Sequence, residues 1–511
     1  MSRRRRSAAQ RLRGVDRRPA SATAHVVGFA LLFISVGMAA CGVIEAATDG
    51  HAATDLLMAA AGSALAGLAL WLGTQAPTRV STASAFAAVA WTWIAISVAG
   101  ALPFWTSGML ANPGDAIFES VSGFTGTGAT VLTPISTQGR GLLMWRQATQ
   151  WYGGMGVIVL AVAVLPLLGI GGYELLRAES PGPTSDRLAP RVSDTAKRLW
   201  IVYLGLTLVM LGLLMLGGMS FYDGIAHAMT TVSTGGFSPY DASIAAFDSV
   251  TIEVILIGSM TAGAISFTLW WQLFTGAGLR TFFRSAELRA FLGVAVTATA
   301  FIAAVLSLDG TGVVHAVRDA SFATMTTLST TGFATADFAL WPPATQLVIL
   351  AMMVTGGMAG STSGAVKLFR IQVMAAHSRR ELRRVLHPRG VFPVKLGGSV
   401  VPEQIVRRIV SFFVLYVFLA VIGTAVLTSL GADLVTAASA ITSCIGAFGP
   451  ALGKAGPTSN YLVLNAPSRG ILTIYMLLGR LELFTLLLMF AAPLQTLRNG
   501  RRGSRSVRSR R

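Results

Sequence analysis

One phrase occurs three times along this chain, each time at the outer edge of an apolar segment: DAIFESVSGFTGTG, DGIAHAMTTVSTGG and DASFATMTTLSTTG. In each copy an aspartate (Asp115, Asp223, Asp319) stands thirteen residues before a glycine (Gly128, Gly236, Gly332), and Ser, Thr and Gly fill the last positions. A looser fourth copy runs from Ala432 to Gly449, and the four glycines lie 108, 96 and 117 residues apart. A unit that recurs at such a spacing decides the architecture before any local reading does. Four glycine-ended segments dipping into an apolar layer around one axis are the parts of an ion selectivity filter.

The composition puts the chain in a bilayer. Of 511 residues, 53% are hydrophobic and 12% charged, against about 25% charged in a soluble domain. The net charge of +18 is unevenly spread. Only Arg140, Arg146, Arg318, Lys454 and Arg469 fall in segments read as external. Nearly all the rest crowd the tails, the 177–198 loop, the 280–289 turn and the 370–408 stretch. That asymmetry is the positive-inside rule, and the basic tails also suit anionic headgroups. No aromatic residues interleave the basic runs, so a nucleic-acid partner is not expected. Cys41 and Cys444 sit in different apolar segments and imply no disulfide framework. GMAAC at 37–41 resembles a lipoprotein cleavage site, but a second apolar stretch follows at once, so the segment reads as a retained first helix. The six histidines show no ligand spacing.

Spans of roughly 20 apolar residues cross a bilayer as helices. Ten are expected, at 24–47, 53–74, 82–103, 147–170, 198–219, 250–275, 287–308, 345–376, 405–430 and 469–494, with both termini cytoplasmic. The expected fold is an all-α polytopic membrane protein: an N-terminal transmembrane helix pair, then four pseudo-symmetric helix–pore loop–helix repeats around a central pore. The divisions are a basic cytosolic tail (1–23), the helix pair (24–80), the repeats (81–195, 196–284, 285–400, 401–497) and a second basic tail (498–511).

Asp115, Asp223 and Asp319 suit the N-cap of each short pore helix, where a carboxylate satisfies free N–H groups and complements the helix dipole. The opposite end then directs partial negative charge toward the axis. Beyond it, Thr127, Gly128, Gly235, Gly236, Thr331 and Gly332 can present backbone carbonyls, which replace the hydration shell of a cation. Glycine permits φ > 0 and close approach of neighbouring chains. Four unrelated glycine-rich turns would not share the fixed Asp–Gly spacing.

At these residues the chain resembles the TrkH/TrkG branch of the Trk/Ktr/HKT potassium transporters. The matching stretches are SVSGFTGTGATVLTPI (120–135), QWYGGMGVIVLAVAVLPLLGIGGYELLRAESPGP (150–183), STGGFS (233–238), GGMAGSTSGAVKLFR (356–370) and LLGRLELFTLLLMF (477–490). The resemblance implies a potassium-selective pore in each subunit, a homodimer, and a cytosolic ring of nucleotide-binding, TrkA-like regulatory subunits in a bacterial inner membrane. It places the filter on Gly126, Thr127 and Gly128; Thr234, Gly235 and Gly236; Thr330, Thr331 and Gly332; and Ala447, Phe448 and Gly449, with K+ as the transported ion and no organic cofactor. A glycine in all four corners matches the potassium-preferring pattern, whereas a serine in the first resembles sodium-permeable plant relatives. Two departures stand out. Gly126 occupies a place where Thr is expected, and SCIGAFGPALG lacks the usual Asn two residues before the glycine. Gly446 would keep the thirteen-residue spacing from Asp433, but GPxxG continues the match at Gly449.

The segment TGGMAGSTSGAVK (355–367) carries Gly356, Gly357, Gly360, Ser361, Thr362, Ser363 and Gly364. Each glycine costs a helix interior about 1 kcal/mol relative to alanine. It reads either as a broken helix crossing the ion path or as a close-packed small-residue interface. The resemblance favours the first, an intramembrane gating loop. Arg480 lies about twelve residues into the last span, roughly 18 Å deep at 1.5 Å per residue. Such depth argues against snorkelling, leaving a pore-facing electrostatic barrier, which the resemblance implies, or a pair with Glu482. Lys367 belongs either to the gate or to the inner surface. Glu119 either orients the filter from behind or draws cations at the mouth.

The expected function is potassium uptake through a gated, channel-like pore. An H+- or Na+-coupled secondary transporter on the same fold is the alternative, since broken helices suit it too, though no intramembrane carboxylate pair stands out as a proton relay. An enzyme is not expected: there are no paired acid/base residues, no metal-ligand cluster and no nucleotide-binding glycine loop.

Overall fold

Six helices are long and apolar enough to cross a membrane among the residues that the computed structural model describes, 19–74, 82–163 and 192–481. The tails, residues 177–191 of the first basic loop, and Glu482 lie outside them. Two of the six, Thr23–Ala47 and Ala53–Leu72, form the N-terminal pair. The other four, Ala87–Thr106, Ala196–Leu216, Ala286–Leu308 and Glu403–Ser429, are the outer helices of the four repeats. Their outward faces expose Leu208, Leu216, Val296 and Phe418, which lipid accepts because helices satisfy their own backbone groups.

Each outer helix is followed by a short pore helix: Pro113–Thr125, Phe221–Val232, Val313–Leu328 and Leu434–Gly446. An inner helix then begins at Arg140, Val250, Pro343 and Ala466 in turn. Every pore helix packs on its own outer and inner helices and on the inner helix of the preceding repeat; the first pore helix takes the last inner helix. That cyclic order closes four repeats around one axis.

The inner helices are less regular than expected. The first starts at Arg140 rather than near 147, so Arg146 lies in its second turn. The 250–275 span is not one helix: Val250–Ala264 and Phe267–Gly276 are bent by 96°. Ile265 at the break is extended (φ −80°, ψ 146°). The third inner helix stops at Thr355, and regular structure resumes at Leu368–Leu386 after an irregular stretch. A glycine also stands thirteen residues after the first residue of each inner helix: Gly153, Gly263 and Gly479 within the helix, and Gly356 immediately past the end of the third. In the first and last, a Cβ there would run into the pore-helix carbonyls of Phe124 and Ile445.

The N-terminal pair is fastened to the first repeat by Glu45, only 1% exposed. Its carboxylate accepts from the amides of Gly141 (2.5 Å) and Leu142 (3.3 Å), the free N–H groups of a helix start. The described strands form one antiparallel hairpin, Lys395–Leu396 with Ser399–Val400, pairing Lys395 with Val400 and Leu396 with Ser399.

Candidate ion-conducting site

The aspartates of the repeated phrase do not cap their helices. Asn112, Ser220 and Gly312 are the N-caps of the first three pore helices. Asp115 and Asp223 are the third helical residues, and Asp319 is the seventh because its helix begins a turn earlier. Asp223 instead accepts the Ser220 hydroxyl (2.6 Å) while the Ser220 oxygen takes the Asp223 amide (3.1 Å), a reciprocal capping arrangement. Asp115 pairs with Arg469. Only Asp433, in the loosest copy, is a true N-cap, accepting from Thr436 N at 2.9 Å.

The helix C-termini, by contrast, repeat faithfully. Gly126, Thr234, Thr330 and Ala447 all adopt positive φ (68°, 52°, 58° and 53°), and so do Gly128, Gly236, Gly332 and Gly449 (81°, 78°, 88° and 101°). The amides of Thr127, Gly235, Thr331 and Phe448 turn back to Ser122, Thr230, Thr326 and Ser443 carbonyls at 2.8–3.0 Å. These are Schellman-type caps. They spend the N–H groups on the helix and leave the following carbonyls to be directed elsewhere. The same geometry in the fourth copy falls on Ala447, Phe448 and Gly449, whereas Gly446 is still helical.

The four corners touch in a ring. A Cβ at Gly128 would overlap the carbonyl oxygen of Gly235, one at Gly236 that of Thr331, one at Gly332 that of Phe448, and one at Gly449 that of Thr127. All four glycines line one outer vestibule with Asp241, Tyr240, Thr458 and Tyr461. Phe448 is fully buried, its ring packed 6.3 Å from that of Phe338. Burial favours the neutral acid of Asp241. Its hydrogen bonds from Ile135 N (2.8 Å), Ser136 N (3.1 Å) and the Ser136 hydroxyl (2.8 Å) outweigh that, holding the carboxyl below its usual range. The mouth therefore keeps a negative charge near neutral pH.

Glu119 stands behind the first corner. It is fully buried and accepts from the Thr130 hydroxyl (2.8 Å), Val131 N (2.9 Å) and Arg146 Nε (2.7 Å). Arg146 stacks 3.5 Å over Phe237 and donates to Ser238 O at 3.0 Å, joining corners one and two. Three residues unread in the sequence also hold this ring. Gln150 donates to Gly235 O (2.7 Å), Tyr461 to Gly449 O (2.7 Å), and His227 contacts Ser238 Oγ (3.1 Å). Gln150 lies inside the quoted QWYGG stretch, but its type alone carries no signal.

Beneath the ring lies the 356–367 segment. Gly356, Gly360, Ala365 and Lys367 have positive φ (70°, 77°, 60° and 71°), so the helix is broken as expected and the small residues are not a helix interface. The Thr362 hydroxyl donates to Val232 O (2.8 Å), Ala365 N to Gly446 O (2.8 Å), and Gly364 N to the Thr330 hydroxyl (2.8 Å). These partners belong to the second, fourth and third repeats. Met358 N and Gly360 O bond Ala264 O and Phe267 N, both at 3.0 Å, on either side of the break in the second inner helix. Ser361 and Ser363 share a 2.6 Å hydrogen bond, and Gly357 O accepts from Leu368 N at 3.0 Å. Lys367 folds its ammonium back onto Ser361 O (3.1 Å) and stays with the loop.

Arg480, 6% exposed, reaches the same place. It donates to Thr362 O (3.2 Å) and Gly153 O (3.1 Å) and lies 5.9 Å from the Trp93 ring centre. No carboxylate pairs with it among the described residues. The guanidinium thus sits among carbonyls under the first corner, adding the first repeat to the loop's contacts. No group of three or more His, Cys, Asp or Glu could hold a metal ion among the described residues.

Comparison with known proteins agrees with this architecture. Residues 56–498 match the family described as "TrkH: Cation transport protein". The chain belongs to the TrkH family. It is 36% identical over 431 residues to the Trk system potassium uptake protein TrkH of Escherichia coli K12, covering 84% of this chain and 89% of that one. It is 39% identical over 421 residues to TrkH of Halomonas elongata, covering 81% and 86%. The crystal structure of the potassium transporter TrkH from Vibrio parahaemolyticus superposes with a TM-score of 0.85 at 33% identity, over 92% of this chain and 98% of that one. TrkH-family proteins are membrane transporters, not enzymes.

Proposed function

We propose that this chain is the pore subunit of a potassium-uptake system in a bacterial inner membrane, with both termini cytoplasmic. The carrying observation is the closed ring in which Gly128, Gly236, Gly332 and Gly449 each meet the preceding-residue carbonyl of the next corner. Carbonyls of residues 126–128, 234–236, 330–332 and 447–449 would replace the hydration shell of K+. The names of the TrkH relatives support potassium as the ion. The 356–364 segment, with Lys367 and Arg480, serves as the gate: it contacts all four repeats and lies across the path. The membrane potential contributes about 2.3 kcal/mol per charge per 100 mV, enough for uptake without coupled chemistry. The buried carboxylates Glu45, Glu119 and Glu253 among the described residues are all committed to backbone or arginine donors, which favours this reading over proton-coupled transport. Two copies and a cytosolic nucleotide-binding ring, docked on the basic inner loops, complete the proposed assembly.

The test is growth of a potassium-uptake-deficient bacterium at limiting potassium. The chain is expected to restore it. A well-inserted protein that does not, or flux that requires a pH or sodium gradient at fixed potential, contradicts the proposal.

A further inference from the structure

At the residue before each corner glycine, one carbonyl differs from the other three in what it touches; Tyr461 donates one residue further on, to Gly449 O. Gly235 O accepts the Gln150 side-chain amide at 2.7 Å, whereas the equivalent oxygens of Thr127, Thr331 and Phe448 receive no side-chain donor among the described residues. Gln150 comes from the first inner helix, is fully buried, and also takes the Phe237 amide on its own oxygen at 3.0 Å. The orientation is forced. Phe237 N–H can only donate and Gly235 C=O can only accept, so the NH2 end faces the carbonyl. Gln150 also explains why the corner has glycine at this place. A Cβ on Gly235 would overlap the Gln150 amide, while the first and third corners carry Thr127 and Thr331 there. A local side chain has been exchanged for an amide from another repeat. Its nitrogen lies 3.6 Å from where a Cβ on Gly128 would stand, at the seam between corners one and two.

We propose that Gln150 is a positioning residue that fixes and weakens the ligand field of the second corner, favouring the larger monovalent cation. The proposal rests on the filter reading above. A donated N–H occupies one of the two lone pairs of a carbonyl and brings positive charge toward any bound ion. A ring with one weakened ligand compensates poorly for stripping water from sodium, which is held more tightly than water on potassium. The same bond prevents Gly235 O from moving inward around a smaller ion.

Reconstituted full-length protein and bi-ionic reversal potentials give the K+/Na+ permeability ratio. Three variants are compared: Gln150→Met, the exchange variant Gln150→Ala with Gly235→Thr, and Gly128→Ser. The first removes both hydrogen bonds at similar volume; the second refills the space as the first and third corners do. Both Gln150 variants are expected to conduct potassium with the ratio lowered about three- to tenfold, the worth of one hydrogen bond. If the exchange variant returns the wild-type ratio, Gln150 only fills space and the proposal is overturned. If Gly128→Ser shifts the ratio and neither Gln150 variant does, this inference fails and the filter reading stands. If Gly128→Ser leaves the ratio unchanged, the filter reading itself fails, and this inference with it. Should Gln150→Met not insert, the exchange variant alone decides.

Discussion

A residue with a Cβ costs about 1–2 kcal/mol in the left-handed region, and three of the four corners accept that cost at Thr234, Thr330 and Ala447. The fourth equivalent, Gly126, does not, so glycine there departs from the pattern without altering the backbone. The glycines two positions on are different, because a side chain would meet a carbonyl of the next corner as well as the strain. This separates Gly449 from Gly446. Gly449→Ala should lower the K+/Na+ permeability ratio, since its Cβ would come within 2.6 Å of Thr127 O. Gly446→Ala should lower the melting temperature but leave the ratio unchanged, because its new methyl would crowd Met353 O at 2.9 Å, away from the ring. The reverse pattern in ion-flux and melting measurements would move the fourth corner to Gly446. The repeated phrase made the glycine end readable because caps and close approaches constrain residue type there. It misplaced the aspartates because the first two pore helices start two residues before Asp115 and Asp223, and the third starts six before Asp319, so Asn112, Ser220 and Gly312 hold the cap positions. Gln150 and Tyr461 were unreadable, since their roles depend on contacts 85 and 12 residues away.

Among the elements, the broken third inner helix was legible because glycine and serine crowd 356–364. The 96° bend in the second was not. No proline marks it, and the backbone groups freed at Ala264 and Phe267 are satisfied by Met358 and Gly360 of the other repeat. The two breaks therefore hold each other, and movement of the loop must release or carry the bend. Thr362 is the most direct handle, being fully buried and bonded to Val232 O at the end of the second pore helix. Thr362→Val keeps the shape and removes the bond, about 1 kcal/mol. If the loop is the gate, cation flux through reconstituted protein without a partner should rise about fivefold. Unchanged flux would mean that this bond does not hold the path shut. At the periphery, Glu45→Gln should loosen the N-terminal pair, since a charged acceptor for two helix-start amides becomes a neutral one. The expected loss is about 1–2 kcal/mol, read as a lower melting temperature with selectivity unaltered.

For the whole molecule, pseudo-fourfold closure needs the last repeat to meet the first, and the chain offers no covalent help there. The last inner helix packs on the first pore helix, and Arg469 grips Asp115 through Nε–Oδ1 (2.8 Å) and Nη2–Oδ2 (3.1 Å). A similar fork joins Arg318 of the third pore helix to Glu253 of the second inner helix, both contacts at 2.7 Å. These arginines and Arg146 are three of the five basic residues read as external, so most of those few positive charges are spent on ties between elements. The Arg469–Asp115 pair is 11% and 14% exposed, so screening is limited and its two-pronged geometry is retained. Removing one partner leaves a charge stranded at the seam, whereas removing both does not. Asp115→Asn and Arg469→Gln should each destabilise by about 1–3 kcal/mol. The double variant should cost clearly less than their sum, with a coupling energy of about 1 kcal/mol or more. Melting curves of the four proteins in one detergent at fixed salt complete the cycle. Strict additivity would show that packing alone closes the ring and that the ion pair is incidental to it.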